Sequence, residues 1–169
     1  MIINLQNREN KMSTDKVKKY LSKWNLENRV KEFDVSSATV ELAAQALGVE
    51  PERIAKTLAF ENADGCIMIV TSGDAKIDNR KFKAEFSIKA KMLSFEDVEQ
   101  KTGYKVGGVC PFDVNEGAVV YLDKSLERFS VVFPAAGTSN SAVELNLEEL
   151  KMVTGCNEFI DVCKELVSE

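Results

Sequence analysis

A chain of 169 residues, 44% hydrophobic and 29% charged, has the size and make-up of one domain with a buried core. Its formal charge of -5 argues against non-specific nucleic-acid binding by the whole surface, so DNA is not an expected partner. No apolar run approaches the ~18 residues of a membrane helix, and the absence of histidine excludes any Ser-His or Cys-His pair within the chain.

Residues 1–11, "MIINLQNRENK", lack the basic start, apolar stretch and cleavage site of a signal peptide. They read as a disordered or leader extension ahead of one domain over 12–169, and the protein is expected in the cytoplasm. Val17, Tyr20, Leu21 and Trp24 recur at helical spacing and predict a helix over about 13–24. "RVKEF" (29–33) is a strand candidate. "SSATVELAAQALGV" reads as a helix capped by Ser or Thr and stopped by Gly48, and Pro51 opens a short turn.

The clearest β signal follows: "TLAF" and "CIMIV" flank "ENADG", predicting a hairpin over about 56–70 with Asp64-Gly65 in the turn. The basic segment predicts a helix around 79–85, "AKML" a short strand, and "SFEDVEQKTG" a helix opened by Ser94. "GAVVYLD", "RFSVVFPAAG" and "SAVEL" are strand candidates, and "NLEELKMVTG" is a helix capped by Asn146 and Glu149. "NEFIDVCKELVSE" is amphipathic through Phe159, Cys163 and Leu166. Without regular βαβ alternation, these elements predict an α+β fold around a mixed, largely antiparallel sheet.

Four features could carry chemistry. Cys110, in "TGYKVGGVCPFDV", is the one familiar nucleophile in view. It has no histidine to serve it and is flanked by Val109, Pro111 and Phe112, which suits a structural thiol better. The four cysteines form no C-x-x-C pair, so the usual zinc spacings are absent and reduced, mostly buried thiols are expected.

Gly107-Gly108 permits positive φ and a close approach of backbone N–H groups to an oxyanion, with Pro111 fixing the loop's end; an ordinary turn would look the same. "AAGTSNSA" offers Thr138, Ser139, Asn140 and Ser141 as donors at a strand end. Lys56, where a short turn meets an apolar strand, is either a snorkelling surface side chain or a fixed cation aimed into a cleft. The segment 76–91 holds Lys76, Arg80, Lys81, Lys83, Lys89 and Lys91 against Asp78 and Glu85. That run is a solvated helix face or a local phosphate-contacting patch.

In their order and spacing, "RIAKTLAF", "TSGDAKID", "TGYKVGGVCPF" and "FPAAGTSNSAVELNLEEL" resemble the YbaK/EbsC family. These are free-standing aminoacyl-tRNA deacylases related to the editing insertion of bacterial prolyl-tRNA synthetase, and the resemblance covers roughly residues 13–150. It implies a barrel-like mixed sheet surrounded by helices, and hydrolysis of the ester of a mischarged aminoacyl-tRNA. The implied substrate is tRNA-Pro carrying a small amino acid such as Ala or Cys. No metal or cofactor is implied. The family lysine falls on Lys56, the glycine-to-proline loop on Gly107, Gly108, Val109, Cys110 and Pro111, and the pocket loop on Gly137, Thr138, Ser139, Asn140 and Ser141.

Some relatives carry a histidine in the pocket loop and a tyrosine in the first strand, where this chain has Thr138–Asn140 and Lys31 and Phe33. Those departures leave the amino acid open. Lys76, Arg80, Lys81 and Lys83 are expected to face the acceptor stem, with prolyl-tRNA synthetase as a partner. The competing reading is a non-catalytic module that binds the aminoacyl-tRNA 3′ end or an aminoacyl-nucleotide.

Overall fold

The structure, a computed structural model, describes residues 2–166. It is built on a curled six-stranded sheet in the order β7-β5-β2-β3-β4-β8, with a separate two-stranded ladder of β1 and β6. The strands are β1 (Val30–Glu32), β2 (Ile54–Asn62), β3 (Gly65–Ser72), β4 (Ala118–Asp123), β5 (Val131–Pro134), β6 (Ser141–Val143), β7 (Leu145–Asn146) and β8 (Phe159–Ile160). The helices are α1 (Ile2–Leu21), α2 (Val40–Leu47), α3 (Asn79–Phe86), α4 (Phe95–Thr102) and α5 (Leu147–Thr154). Pairs β2–β3, β5–β7 and β1–β6 are antiparallel, whereas β2–β5, β3–β4 and β4–β8 are parallel. The sheet is therefore mixed, as the irregular order of elements in the sequence requires.

Strand β3 explains the unbroken run "CIMIV". It is central and covered on both faces, so alternation of polar and apolar residues has no use there. Cys66, Met68 and Val70 point to the concave side, while Ile67 and Ile69 pack with Phe60 and Phe82 under α3. α3 is amphipathic for the same reason: Phe82 is fully buried, Phe86 stacks edge-on to Tyr121, and the basic residues take the other side. The concave side is closed by Val17 and Leu21 of α1, Tyr104 and Phe112, and Leu150 and Val153 of α5.

Caps set the helix ends as the sequence indicates. Thr39 accepts from the Leu42 amide, Asp78 accepts from the amides of Arg80 and Lys81, and Asn146 with Glu149 forms a reciprocal capping box. Ser94 differs, since its hydroxyl donates to Asp97 Oδ2 at 3.0 Å rather than accepting from the backbone.

Three expectations need correction, and a fourth segment takes a form the sequence did not assign. The first helix begins at Ile2, so the stretch expected as loose continues α1, and Glu9 pairs with Lys105. The hairpin register opposes Asn62 to Gly65, which moves the two-residue turn to Ala63-Asp64. "AKML" forms only an isolated bridge, Met92 to Phe60. The amphipathic segment is not helical over residues 157–166, its last three residues lying outside the described ones: β8 pairs with Leu122 and Asp123, and the Asp123 carboxylate accepts from the Val162 amide at 2.9 Å. A buried carboxylate that holds that amide outweighs the weak helical period of the segment. No helix among the described residues is long and apolar enough to cross a membrane.

Candidate active site

The two loops singled out in the sequence lie against each other. The loop after α4 turns at Lys105–Gly108, where the Gly108 amide donates to the Lys105 carbonyl at 3.0 Å. The loop after β5 passes directly over it. A Cβ on Gly108 would sit 2.7 Å from the carbonyl carbon of Gly137 and from the amide nitrogen of Thr138. Gly107 has φ +93°, and a Cβ there would meet Ala38 and Ser139 at 3.3 and 3.4 Å. Two glycines thus do two jobs: one turns the chain, the other lets a second loop touch it.

The pocket loop is fastened by its own side chains. Thr138 Oγ1 lies 2.9 Å from Asn140 Oδ1 and 2.6 Å from Ser141 Oγ. Asn140 Nδ2 donates to the Phe33 carbonyl at 3.1 Å, and the Phe33 amide donates to the Asn140 carbonyl at 2.8 Å. Lys31 pairs in the ladder with Ala142. Phe33 and the exposed Lys31 therefore brace the loop from behind and do not line the cavity in front of it.

That cavity, about 410 Å³, opens between α2, α4, β2 and the two loops. Ala55, Thr57 and Ala59 of β2 form its floor, with Val109, Ala135 and Ala142 beside them and Gly107 at its edge. Among the described residues, Lys56 is the one charged residue lining it. The Lys56 Nζ donates to the carbonyls of Gly73 and Ala75, at 3.2 and 2.5 Å. Burial pulls its pKa below that of a free lysine, opposed by the nearby Cys163, Asp74 and Glu41. Asp74 is itself disfavoured by burial, but hydrogen bonds from Arg128 and Ser72 outweigh that and lower its pKa.

Cys110 lies behind the loop, fully buried beside Tyr104 and Phe112. Burial pushes its thiol up to about 12, opposed by the Phe112 amide and the neighbouring Tyr104. It is a neutral thiol and does not line the cavity. Tyr104 donates to the Phe112 carbonyl, and Pro111 is buried. Gly108, Gly137, Thr138 and Ser139 face a second, smaller cavity of about 250 Å³ under α1. Among the described residues the amides of Gly107, Val109 and Cys110 donate to no protein acceptor, whereas that of Gly108 is committed to the turn.

Of the predicted site residues, the structure brings Lys56, Gly107, Val109 and Ser141 to one cavity. The basic residues lie elsewhere. Lys81 is engaged, donating to Asp161 Oδ1 at 3.0 Å and to the Cys163 carbonyl at 2.9 Å, while Lys76, Arg80 and Lys83 are exposed.

Sequence reasoning missed the segment Ser37–Val40, which lines the cavity because the Ser37 amide donates to the Ser139 carbonyl at 2.6 Å. It also missed Thr57, whose buried Oγ1 has no hydrogen-bond partner among the described residues. Strand alternation beside Ala55 and Ala59 was the available signal for Thr57.

A family model for the aminoacyl-tRNA editing domain matches residues 34–153. The chain is 50% identical over 155 residues to "Uncharacterized protein YwhH" of Bacillus subtilis, covering 91% of this chain and 99% of that one. It is 32% identical over 126 residues to "Putative Cys-tRNA(Pro)/Cys-tRNA(Cys) deacylase EbsC" of Enterococcus faecalis, covering 73% of this chain and 76% of that one. The crystal structure of "a putative trans-editing enzyme for prolyl tRNA synthetase" superposes with a TM-score of 0.81 at 28% identity, over 90% of this chain and 98% of that chain.

Proposed function

The chain belongs to the aminoacyl-tRNA editing domain family, and on that premise we propose that it is a trans-editing hydrolase. Its reaction is cleavage of the ester between a small, wrongly attached amino acid and the 3′ end of a tRNA, with tRNA-Pro carrying Ala or Cys as the leading substrates. The observation that supports this reading is one cavity lined by alanines, by a lysine and by a loop whose Gly107 and Val109 amides have no protein acceptor among the described residues.

An aminoacyl ester is already activated, so positioning and charge stabilisation are sufficient. Water adds to the ester carbonyl carbon; the carbonyl oxygen becomes an oxyanion and takes hydrogen bonds from the amides of Gly107 and Val109. Such donors are worth roughly 3–4 kcal/mol each in other hydrolases. Collapse of the intermediate breaks the bond to the ribose 3′ oxygen, which leaves with the proton the water gave up. The adjacent ribose hydroxyl is placed to direct that water.

Lys56 holds negative charge, either the developing oxyanion or the terminal phosphate. Ala55, Ala59, Ala135 and Ala142 restrict the amino acid to a small side chain, although one methylene changes selectivity by only ~1–3 kcal/mol. A cytoplasmic location and association with prolyl-tRNA synthetase follow from the substrate.

The test is deacylation of a panel of mischarged tRNA-Pro species. Wild type and Cys110→Ala are expected to be active, and Lys56→Ala inactive with Lys56→Arg partly restored. Because Lys56→Ala also frees two carbonyls from their donor, its melting temperature is measured beside its activity. Activity lost with Cys110→Ala and kept with Lys56→Ala overturns the mechanism. Binding of the tRNA 3′ end without turnover of any member of the panel supports the module that only binds.

A further inference from the structure

Three large apolar side chains stand exposed around the mouth of the cavity: Phe95 at 76%, Met92 at 57% and Val106 at 52%. Exposed apolar groups scattered singly need no explanation, but three gathered on one rim do. The position of Phe95 is set by its helix. It is the first residue of α4, and Val98 and Thr102, at i+3 and i+7, are the buried residues of that helix. Phe95 therefore continues the inward stripe of α4, but at a point where the cavity, rather than the core, lies beneath it.

We propose that Phe95, with Met92 and Val106, is a stacking platform for the terminal base of the RNA, a purine nucleoside at the unpaired 3′ end. This rests on the reading of the chain as an aminoacyl-tRNA hydrolase, and it names how that substrate is held. With the amino acid among Ala55, Ala59 and Ala142 and the ester at Gly107, the ribose and base leave the cavity over its rim.

An aromatic face accepts any base without hydrogen-bond readout. The backbone that follows the base carries negative charge, and Lys89 and Lys91 are exposed immediately before Met92. Lys91 pairs with Glu61 at 3.5 Å, a surface contact that a phosphate can replace.

The experiment compares wild type, Phe95→Ala and Phe95→Trp on the mischarged tRNA that the wild type hydrolyses. It measures in parallel the binding of adenosine 5′-monophosphate by calorimetry and NMR. Phe95→Ala is expected to raise KM by about 10- to 100-fold, the cost of losing one base–aromatic stack. In that variant kcat stays within a few-fold of wild type, nucleotide binding is lost, and Phe95→Trp restores both.

Unchanged KM and unchanged nucleotide binding in Phe95→Ala overturn the proposal. So does a fall in kcat alone, which makes Phe95 part of the pocket wall. Concentration-dependent self-association that disappears in Phe95→Ala overturns it too, since the rim then covers a second copy of the chain. If the wild type hydrolyses no aminoacyl-tRNA, the parent reading fails, and the nucleotide-binding arm still decides the role of Phe95.

Discussion

Gly108 and Gly137 touch through their backbones: a Cβ on Gly108 would fall 2.7 Å from the Gly137 carbonyl oxygen. Each loop therefore fixes the height of the other, and the free amides of the first depend on a residue about thirty positions away. The second loop is in turn pinned to Ser37 and Phe33 by backbone hydrogen bonds. Amide geometry at Gly107 and Val109 is thus a property of three segments together.

Gly108→Ala forces one loop away from the other. Overpacking of this kind costs about 1–3 kcal/mol, and the displaced amides should lower deacylation by more than the lost stability explains. Gly48→Ala is the control: Gly48 ends α2 at φ +71° with no atom within 4 Å of an added Cβ. Its cost should be about 1 kcal/mol of left-handed strain with activity retained. Thermal melts beside single-turnover deacylation distinguish the two outcomes, and equal activity in both variants would remove the loop packing from the mechanism.

Cys110 supplies a second prediction. Its thiol is raised from 9.0 to about 12, mainly by burial. A group with a raised folded-state pKa contributes its full stability below the unfolded value and loses it as pH rises through the folded one. The melting temperature should therefore fall between pH 9 and 12 as the unfolded chain ionises first. Cys163, also raised to about 12 and chiefly by burial, adds to the same slope. Cys110→Ala should flatten the decline, and wild-type protein treated with iodoacetamide at about pH 8, below the ordinary thiol pKa, should keep its activity. Loss of activity on alkylation of Cys110 would show a reactive thiol.

How much of this was legible in the sequence follows from the range of the interactions. Caps at Thr39, Asp78 and Asn146, the β2–β3 hairpin and the fully apolar β3 are local or near-local signals. Lys56 and Gly107 could be named from their residue types and their resemblance to a family. The form of the segment after Gly155 was not legible, because it is imposed by Asp123, in a strand about forty residues earlier. That the Gly108 amide is taken by the Lys105 carbonyl shows only in the packed loop. Thr57 was hidden by its neighbour, the lysine that draws the eye.

The basic helix is better defined by the structure than by its charge count. Arg80 and Lys83 are exposed, and Asp78 already satisfies the first amides of α3. Lys81 instead ties α3 to the chain after β8 through Asp161 and the Cys163 carbonyl. Arg80→Glu with Lys83→Glu should weaken tRNA binding without unfolding the protein. The slope of log affinity on log salt should shrink by about one for each phosphate no longer neutralised. Lys81→Glu should lower the melting temperature instead, because it sets a carboxylate against Asp161. Unchanged affinity and salt slope in the double variant would move the acceptor stem to another face.

Thr57 gives the most direct probe of what enters the cavity. Its hydroxyl is buried, with no partner among the described residues, beside Ala55, Ala59 and the other apolar lining residues. A buried polar group left unpaired costs about 1–3 kcal/mol. Thr57→Val keeps the shape and removes that cost, so the free protein should become more stable by about 1 kcal/mol. On the proposed function, the same change removes a floor hydroxyl that a bound aminoacyl ester would have to uncover in order to reach it. Deacylation should fall while the melting temperature rises. Opposite signs in the two measurements identify a group kept for its ligand, whereas a loss of both would make Thr57 an ordinary structural residue of β2.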